Sequence, residues 1–252
     1  MKISICGKGG SGKSTLTSLL ANQAVSRGVK VLVVDSDESN SGLYRFLGFD
    51  SPPVPLMELA GGKKNLKKKM NRPSVLSESR ITIADIPQQH IQSKNGLTLV
   101  SIGKILQALE GCACPMGVLT REFLKKLRLM ENEIAFIDME AGVEHFGRGV
   151  DNSIDTILFV AEPSFESLIL AERVKDIAAG IQKKIWAILN KVNSDSLELK
   201  LKNELAKREI EVIGTIKNDQ GIFDASLDGR PFGPVVAAGA VEEILDFLLS
   251  MH

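Results

Sequence analysis

What this sequence lacks excludes several classes of protein. Lysine plus arginine and aspartate plus glutamate both number 31 among 252 residues, so the chain has no basic field of the kind that a dedicated nucleic-acid binder needs. No apolar run approaches the roughly 18 residues of a membrane span. The first residues, KISICG, start a strand-like pattern at once, without the profile of a signal peptide. We therefore expect a cytoplasmic protein with neither a nucleic-acid nor a membrane partner.

Cysteine is also scarce, with three residues in the chain. Two of them, Cys112 and Cys114, are separated by one alanine in GCACPMG. In a reducing cytoplasm, paired thiols more often bind metal or carry out redox chemistry than form a disulfide that stabilises the fold. One CxC segment cannot surround a metal ion, because a closed zinc site needs four ligands. Pro115 predicts an extended backbone at Cys114, and hence a turn or loop rather than the middle of a helix. Cys6 lies in an apolar pattern and is expected in the core.

Short apolar runs rich in β-branched residues alternate with helix-period stretches along the chain. The predicted strands cover residues 3–6, 31–34, 97–102, 134–137, 156–160, 185–189 and 212–216, and the predicted helices cover 14–27, 118–132, 167–181 and 196–208. This alternation predicts an α/β fold with a mostly parallel central sheet and helices on both faces. We expect one domain over residues 1–252, with an irregular basic excursion at about 50–96.

That excursion contains the basic run KKNLKKKMNR. Two interpretations are open, a solvated helix face or a docking surface for an acidic partner.

The stretch GKGGSGKST (residues 7–15) follows a strand pattern and opens a helix pattern. It matches the P-loop pattern G-x-x-x-x-G-K-[ST] through Gly7, Gly12, Lys13 and Ser14. Glycines let backbone N–H groups converge on phosphate oxygens, and the helix N-terminus favours negative charge. Lys13 should reach the β- and γ-phosphates, and the Ser14 hydroxyl should bind Mg²⁺. The stretch therefore predicts a P-loop NTPase.

Lys8 is a second lysine, directly after the first loop glycine, and the general pattern does not need it. It is either an exposed charge or a functional group. With Lys8, the loop has the form K-G-G-x-G-K-[ST] and resembles the deviant Walker A loop of the dimeric ATPases that include MinD, ParA and the nitrogenase iron protein. The resemblance implies a homodimer in which Lys8 reaches across the interface to the partner's nucleotide.

The same resemblance assigns carboxylates that follow two predicted strands, where ligands bind in parallel sheets. It makes DSDESN (residues 35–40) switch I, in which Asp37 would orient the attacking water and Asp35 would lie near the Mg²⁺ shell. A helix N-cap is the other interpretation of one of these two residues. Asp138, at the end of IAFID, resembles a Walker B carboxylate that holds Mg²⁺ through water.

The sequence ILNKVN favours ATP over GTP. Guanine-specific P-loop proteins use N-K-x-D, but here Asn193 is a neutral amide without the acceptor pair that guanine needs, whereas Asn190 can still bond an adenine. The stretch from Gly214 to Pro231 resembles the family's last base-contacting loop. The predicted catalytic residues are Lys8, Lys13 and Asp37. The predicted cofactor-binding residues are Gly7, Lys8, Gly9, Gly10, Ser11, Gly12, Lys13, Ser14, Thr15, Asp35, Asp138, Asn190, Lys191, Lys217 and Asn218.

A two-fold dimer would complete the cysteine site, because an isologous interface duplicates any patch on its axis. Two copies of Cys112 and Cys114 give four thiolates, which prefer Zn²⁺, Ni²⁺, Cu⁺ or iron–sulfur clusters. The segments GKILQALEGCACPMG, DMEAGVEHFGRG and AEPSFESLILAERV resemble the CooC-type ATPases that mature carbon monoxide dehydrogenase. The resemblance spans nearly the whole chain. It implies ATP-dependent insertion of nickel into the apo-dehydrogenase, with Ni²⁺ or Zn²⁺ on the shared thiolates.

Three alternatives stay open at this point. The four thiolates could equally hold a 4Fe–4S cluster, in an iron–sulfur carrier or reductase. The cysteines could be incidental small residues or a redox pair. A positioning ATPase of the MinD or ParA kind would act on a membrane or DNA, but VEEILDFLLSMH is acidic where MinD-like proteins have a basic amphipathic helix.

Overall fold

The computed structural model describes residues 1–39, 42–69, 74, 76–104, 114–142, 153–233 and 237–251. Of Lys63, Lys64, Lys67, Lys69 and Cys114 it describes the backbone alone. The strands are β1 Lys2–Gly7, β2 Lys30–Asp35, β3 Gln92–Lys94, β4 Leu97–Ser101, β5 Glu133–Asp138, β6 Thr156–Ala161, β7 Ile185–Val192 and β8 Glu211–Lys217. The helices are α1 Lys13–Ser26, α2 Leu43–Phe46, α3 Gly62–Lys69, α4 Cys114–Lys126, α5 Phe165–Gly180, α6 Asp195–Ala206, α7 Gln220–Asp228 and α8 Ala238–Ser250.

The described strands form one sheet in the order β3-β4-β2-β5-β1-β6-β7-β8. All neighbouring pairs are parallel except β3 with β4, which is antiparallel. Every residue of the central strands β1, β5 and β6 is buried. Burial along the whole strand is expected where helices cover both faces of a parallel sheet.

Two apolar clusters hold the helices on the sheet. On one face, Phe123 of α4, Val174 of α5 and Leu205 of α6 belong to one cluster. On the other face, Leu20 of α1 and Leu248 of α8 belong to the second cluster. Alternate residues of the strands point into opposite clusters, as the two-residue period of a strand requires. The predicted α/β fold, with a mostly parallel sheet and helices on both faces, is confirmed.

All seven predicted strands are confirmed, and their ends differ from the prediction by no more than three residues. Strand β3 is not predicted from the sequence, because QSK has no apolar alternation. Helices α2, α7 and α8 are not predicted either, and a helix at α3 is one of the two interpretations given to the basic run. The basic run forms α3, whose Leu66 is buried and whose Lys68 is exposed. This fits the solvated helix face, and the docking surface stays a prediction.

The helix predicted over residues 118–132 is displaced. Helix α4 begins at Cys114 and ends at Lys126, so Cys114 is outside the middle of a helix, as expected, but the expectation of a loop there is wrong. Pro115 lies in the first turn, where its missing N–H leaves no helical hydrogen bond unmade. After Lys126 the chain turns to meet Ile81, whose carbonyl accepts from the Arg128 N–H at 2.8 Å. Among the described residues, no helix combines the length and apolarity needed to cross a bilayer.

Two glycine-to-alanine substitutions test the packing of α8 on β8. A Cβ atom at Gly214 would overlap the buried Ile244 side chain, whereas a Cβ atom at Gly180 would meet nothing within 4 Å. We expect Gly214→Ala to lower the free energy of unfolding by about 1–3 kcal/mol through overpacking. We expect the matched Gly180→Ala to raise it by up to about 1 kcal/mol, because alanine is the better helix former. Urea unfolding measures both, and equal effects would contradict the packing.

Candidate nucleotide site

The phosphate loop joins β1 to α1 at the carboxyl edge of the sheet. Gly12 adopts a left-handed conformation with φ 98° just before α1 begins at Lys13. A Cβ atom there would overlap the Asn190 amide, whose Nδ2 donates to the Ser11 carbonyl at 2.7 Å. The Lys13 Nζ donates to the Lys8 carbonyl at 3.3 Å. The loop is therefore set against β7 at the N-terminus of α1, where a helix favours negative charge.

A cavity of about 490 Å³ lies over this loop. Its lining includes eleven of the predicted nucleotide residues, which come from the loop, switch I and the ends of β7 and β8: Gly9, Gly10, Gly12, Lys13, Ser14, Thr15, Asp37, Asn190, Lys191, Lys217 and Asn218. Gly7, Lys8, Ser11, Asp35 and Asp138 are not part of the lining. Three large apolar side chains at the cavity wall were not among the predicted residues: Phe46, Ile222 and Phe223.

Asp138 is the most deeply placed carboxylate of the site, with no exposed surface. Its Oδ2 accepts from the Ser14 hydroxyl at 2.6 Å, and its Oδ1 has no hydrogen-bond partner among the described residues. Burial raises the pKa of Asp138 to about 7, although the Ser14 hydrogen bond opposes the shift. A buried oxygen without a donor, beside a hydroxyl, fits Mg²⁺, which prefers oxygen ligands.

A Mg²⁺ ion at this position would need further ligands besides Ser14 and Asp138. In the described part of the chain, no group of three histidine, cysteine, aspartate or glutamate side chains is arranged to hold a metal ion. Mg²⁺ is usually bound by one or two protein ligands, with waters and substrate phosphates filling the remaining positions. Ser14 and Asp138 are the residues that would hold it here.

The two switch I aspartates have different partners. Asp35, at the end of β2, is buried and forms an ion pair with Lys104 at 2.7 Å. Burial raises its pKa to about 6 against the opposing charge of Lys104. Asp37 accepts from the Ser39 N–H at 2.9 Å and from the Ser39 hydroxyl at 2.7 Å. This is a local turn rather than the helix N-cap considered above, since the residue at the N-cap of α2 is Gly42.

Lys8 lies beside a residue that sequence reasoning missed. The Lys8 Nζ is 2.8 Å from Oε1 of Glu162, and the Lys8 side chain is 40% exposed. Burial pushes the pKa of Glu162 up, but the hydrogen bond and charge of Lys8, with the charge of Lys191 and a hydrogen bond from Ser164, lower the pKa overall. Glu162 follows β6 directly, so its place at the carboxyl end of a parallel strand was an available signal.

The predicted base-contacting residues are held by the protein itself. Asn190 Oδ1 accepts from the Lys191 N–H at 2.9 Å. Lys191 has a left-handed φ of 60°, and its Nζ donates to the Gly10 carbonyl at 2.6 Å. Lys217 forms an exposed ion pair with Asp195 at 2.8 Å. These contacts place all three predicted residues around the cavity, and an adenine contact by Asn190 stays a prediction.

The structure does not describe the side chains of the predicted thiolate site. Cys112 lies outside the described residues, and Cys114 is described by its backbone alone. Cys6 is buried in the core as expected, and burial raises the pKa of its thiol to about 12.

The chain is similar to known nucleotide-binding proteins. Residues 3–232 match the CobQ/CobB/MinD/ParA nucleotide binding domain. The uncharacterized ATP-binding protein MJ0084 of Methanocaldococcus jannaschii is 43% identical, over 91% of this chain and 93% of the relative. The carbon monoxide dehydrogenase accessory protein CooC of Rhodospirillum rubrum is 32% identical, over 77% of this chain and 75% of the relative. The cell division ATPase MinD of Pyrococcus furiosus has the same fold, with a TM-score of 0.74, 21% identity, and coverage of 100% and 99%.

Asp138→Asn tests the burial of the Asp138 carboxylate. The folded-state pKa lies above the ordinary value of 3.8, so the folded wild type favours the protonated form and loses stability as pH rises from about 4 to about 7. Asparagine does not ionise. We therefore expect the stability of the variant relative to wild type to increase by ~2–3 kcal/mol between pH 5 and pH 8.

The measurement is urea unfolding in EDTA without nucleotide. The exposed Glu131→Gln serves as a control that should follow the wild type at both pH values. A relative stability of Asp138→Asn that is independent of pH would contradict the buried carboxylate.

Proposed function

The chain belongs to the CobQ/CobB/MinD/ParA family of nucleotide-binding domains, and we propose that it is an ATPase whose homodimer inserts nickel into carbon monoxide dehydrogenase in the cytoplasm. The observation that carries the ATPase half is the buried Asp138 carboxylate with one oxygen on Ser14 and one without a partner among the described residues. The nickel half is supported by the CxC segment and by the likeness to CooC of Rhodospirillum rubrum.

In the proposed ATPase, each side chain at the phosphate loop has one task. Lys13 moves from the Lys8 carbonyl to the β- and γ-phosphates, and Asp37 orients the attacking water. Bound Mg²⁺ would neutralise charge on the phosphates during transfer. Ser14 and Asp138 would provide its protein ligands. The apolar wall formed by Phe46, Ile222 and Phe223 suits the flat face of an adenine.

The dimer supplies the remaining cation. Lys8 is held by Glu162 on its own chain and would exchange that partner for the phosphates of the second subunit. Ion pairs between partly exposed groups are weak, so this exchange is readily made when a nucleotide's negative charge approaches. The proposed homodimer thus gives each site one lysine from each chain.

The proposed cargo site lies between the two copies. Cys112 and Cys114 of each chain would give four thiolates, the number that a tetrahedral Zn²⁺ or Ni²⁺ site takes. ATP binding and hydrolysis would favour different dimer arrangements, to the extent that the nucleotide has different affinities for them. The metal ion would then be transferred from the thiolates to the apo-dehydrogenase.

The C-terminal helix disfavours the membrane-positioning alternative. The apolar side of α8 is buried in the core through Val241, Ile244 and Leu248. Its acidic residues Glu242 and Asp246 form ion pairs with Arg27 of α1. This helix therefore has neither a free apolar face nor a basic face for an anionic lipid surface.

Mixing two inactive variants tests the role of Lys8 across the dimer. In a mixed dimer of Lys8→Ala and Lys13→Ala, one of the two sites keeps its own Lys13 and receives Lys8 from its partner. We expect each variant alone to be inactive, and an equimolar mixture to recover about a quarter of wild-type ATPase activity, because half of the dimers are mixed and each has one complete site.

The control mixes Lys8→Ala with the Lys8→Ala/Lys13→Ala double variant, where no complete site can form. An activity in the first mixture no greater than in this control would contradict the action of Lys8 in trans.

Metal binding tests the cargo site. Equilibrium dialysis should show one Ni²⁺ or Zn²⁺ ion per wild-type dimer and none for Cys112→Ser/Cys114→Ser, because a closed site needs all four thiolates. Cys6→Ala is the matched control, since it removes a core thiol and should bind as wild type does. Light scattering should show that metal shifts wild type, but not the double variant, toward the dimer.

Equal metal uptake by wild type and the double variant would contradict the shared thiolate site. An iron–sulfur cluster would instead give a brown protein after anaerobic purification, with broad absorption near roughly 400 nm, and would favour the carrier or reductase function.

A further inference from the structure

A lysine outside the predicted site contacts two switch I residues directly. Lys104 lies three residues after the end of β4. Its Nζ is 2.7 Å from Oδ1 and 2.7 Å from Oδ2 of Asp35, and it also donates to the carbonyl oxygen of Asp37. The side chains of Lys104 and Asp35 are 12% and 7% exposed. This is a buried ion pair in which one ammonium group engages both oxygens of a carboxylate.

The Asp35 carboxylate belongs to the same group of charges as the proposed magnesium ligand. Asp35 and Asp138 are register partners on the neighbouring strands β2 and β5, and Asp35 and Asp37 both raise the pKa of Asp138 by charge repulsion. A cation that approaches Asp138 therefore also attracts Asp35. Lys104 already neutralises Asp35 and holds the backbone of Asp37, the residue proposed to orient water.

We propose that Lys104 is a positioning residue that acts as an internal counter-ion: it occupies the Asp35 carboxylate, and the divalent cation that arrives with nucleotide competes with it for that carboxylate. Without this ammonium group, the carboxylates of Asp35 and Asp138 would together attract a divalent cation before nucleotide binds. The inference rests on the nucleotide half of the proposed function and is independent of the metal cargo.

A purely structural ion pair would give the same contacts, so the test measures cation binding rather than stability. Mn²⁺ is titrated into the protein without nucleotide, and free Mn²⁺ is followed by electron paramagnetic resonance. For Lys104→Met we expect Mn²⁺ affinity about tenfold higher than for wild type, because removing one positive charge next to the carboxylates strengthens their attraction for a cation. Lys104→Arg, which keeps the charge, should bind Mn²⁺ as wild type does.

The double variant Lys104→Met/Asp35→Asn identifies the carboxylate. Its Mn²⁺ affinity should return to the wild-type value, because the extra affinity of Lys104→Met comes from Asp35. An unchanged affinity in Lys104→Met would overturn the proposal, as would a tighter affinity that persists in the double variant. The double variant also leaves no unpaired buried charge, which protects it from the folding defect that a single substitution risks.

A measurement on the wild-type chain covers the case in which Lys104→Met does not fold. Acylation of individual lysines by an amine reagent is followed by mass spectrometry, with the exposed Lys94 as internal control. Labelling of Lys104 should rise several-fold with Mg²⁺ and a non-hydrolysable ATP analogue, relative to the analogue in EDTA, while labelling of Lys94 stays constant. Constant Lys104 labelling in a chain that binds the analogue would overturn the proposal. A wild type that binds no analogue would contradict the ATPase assignment instead, and the Mn²⁺ comparison would still be decisive for Lys104.

Discussion

The burial of the Asp138 carboxylate beside the Ser14 hydroxyl is the interaction on which the rest of the site depends. An ionised carboxylate without a cation is costly in a core, and the pKa of about 7 expresses that cost. The sheet imposes it, because Asp138 pairs in register with Ile5 of β1 and with Asp35 of β2. Parallel strands end at the same edge, so two carboxylates and the start of α1 meet there. A divalent cation would offset the cost of the buried negative charge, and in P-loop proteins such a cation arrives with the nucleotide.

The lysines around the loop show how the protein balances these charges by itself. Lys13 and Lys191 donate to carbonyl oxygens of the loop, and Lys8 and Lys104 form ion pairs with Glu162 and with a switch I carboxylate. Each ammonium group therefore has an oxygen partner on the chain. In the proposed ATPase, phosphate binding would exchange the partners of Lys8 and Lys13 instead of removing bare ammonium groups from water, which would lower the desolvation cost of loading the site.

Much of this could be predicted from the sequence, for reasons that also explain the failures. Strands buried on both faces are continuous apolar runs, so β1, β5 and β6 were recognisable, whereas the polar edge strand β3 was not. Lys13 and Asp138 stand at fixed places relative to a strand end. Glu162 also follows a strand directly, but its pairing with Lys8 depends on β6 lying beside β1, and the pairing of Lys104 with Asp35 depends on β4 lying beside β2. Hydrophobic periodicity gives strand positions but not strand order.

The same strand order connects the nucleotide site to the cysteine-bearing segment. Lys104, which precedes residues 105–113, contacts residues 35 and 37. On the other side of that segment, the Thr120 hydroxyl of α4 lies 3.2 Å from the Ser36 hydroxyl, and the Met116 side chain lies where a Cβ atom on Gly103 would overlap it. Residues 35–37 thus contact the described chain on both sides of Cys112. If nucleotide binding changes the contacts of residues 35–37, both flanks of the cysteine-bearing segment would be affected together. The proposed coupling of ATP to the metal cargo therefore needs residues 35–37 alone and no chain of contacts across the sheet.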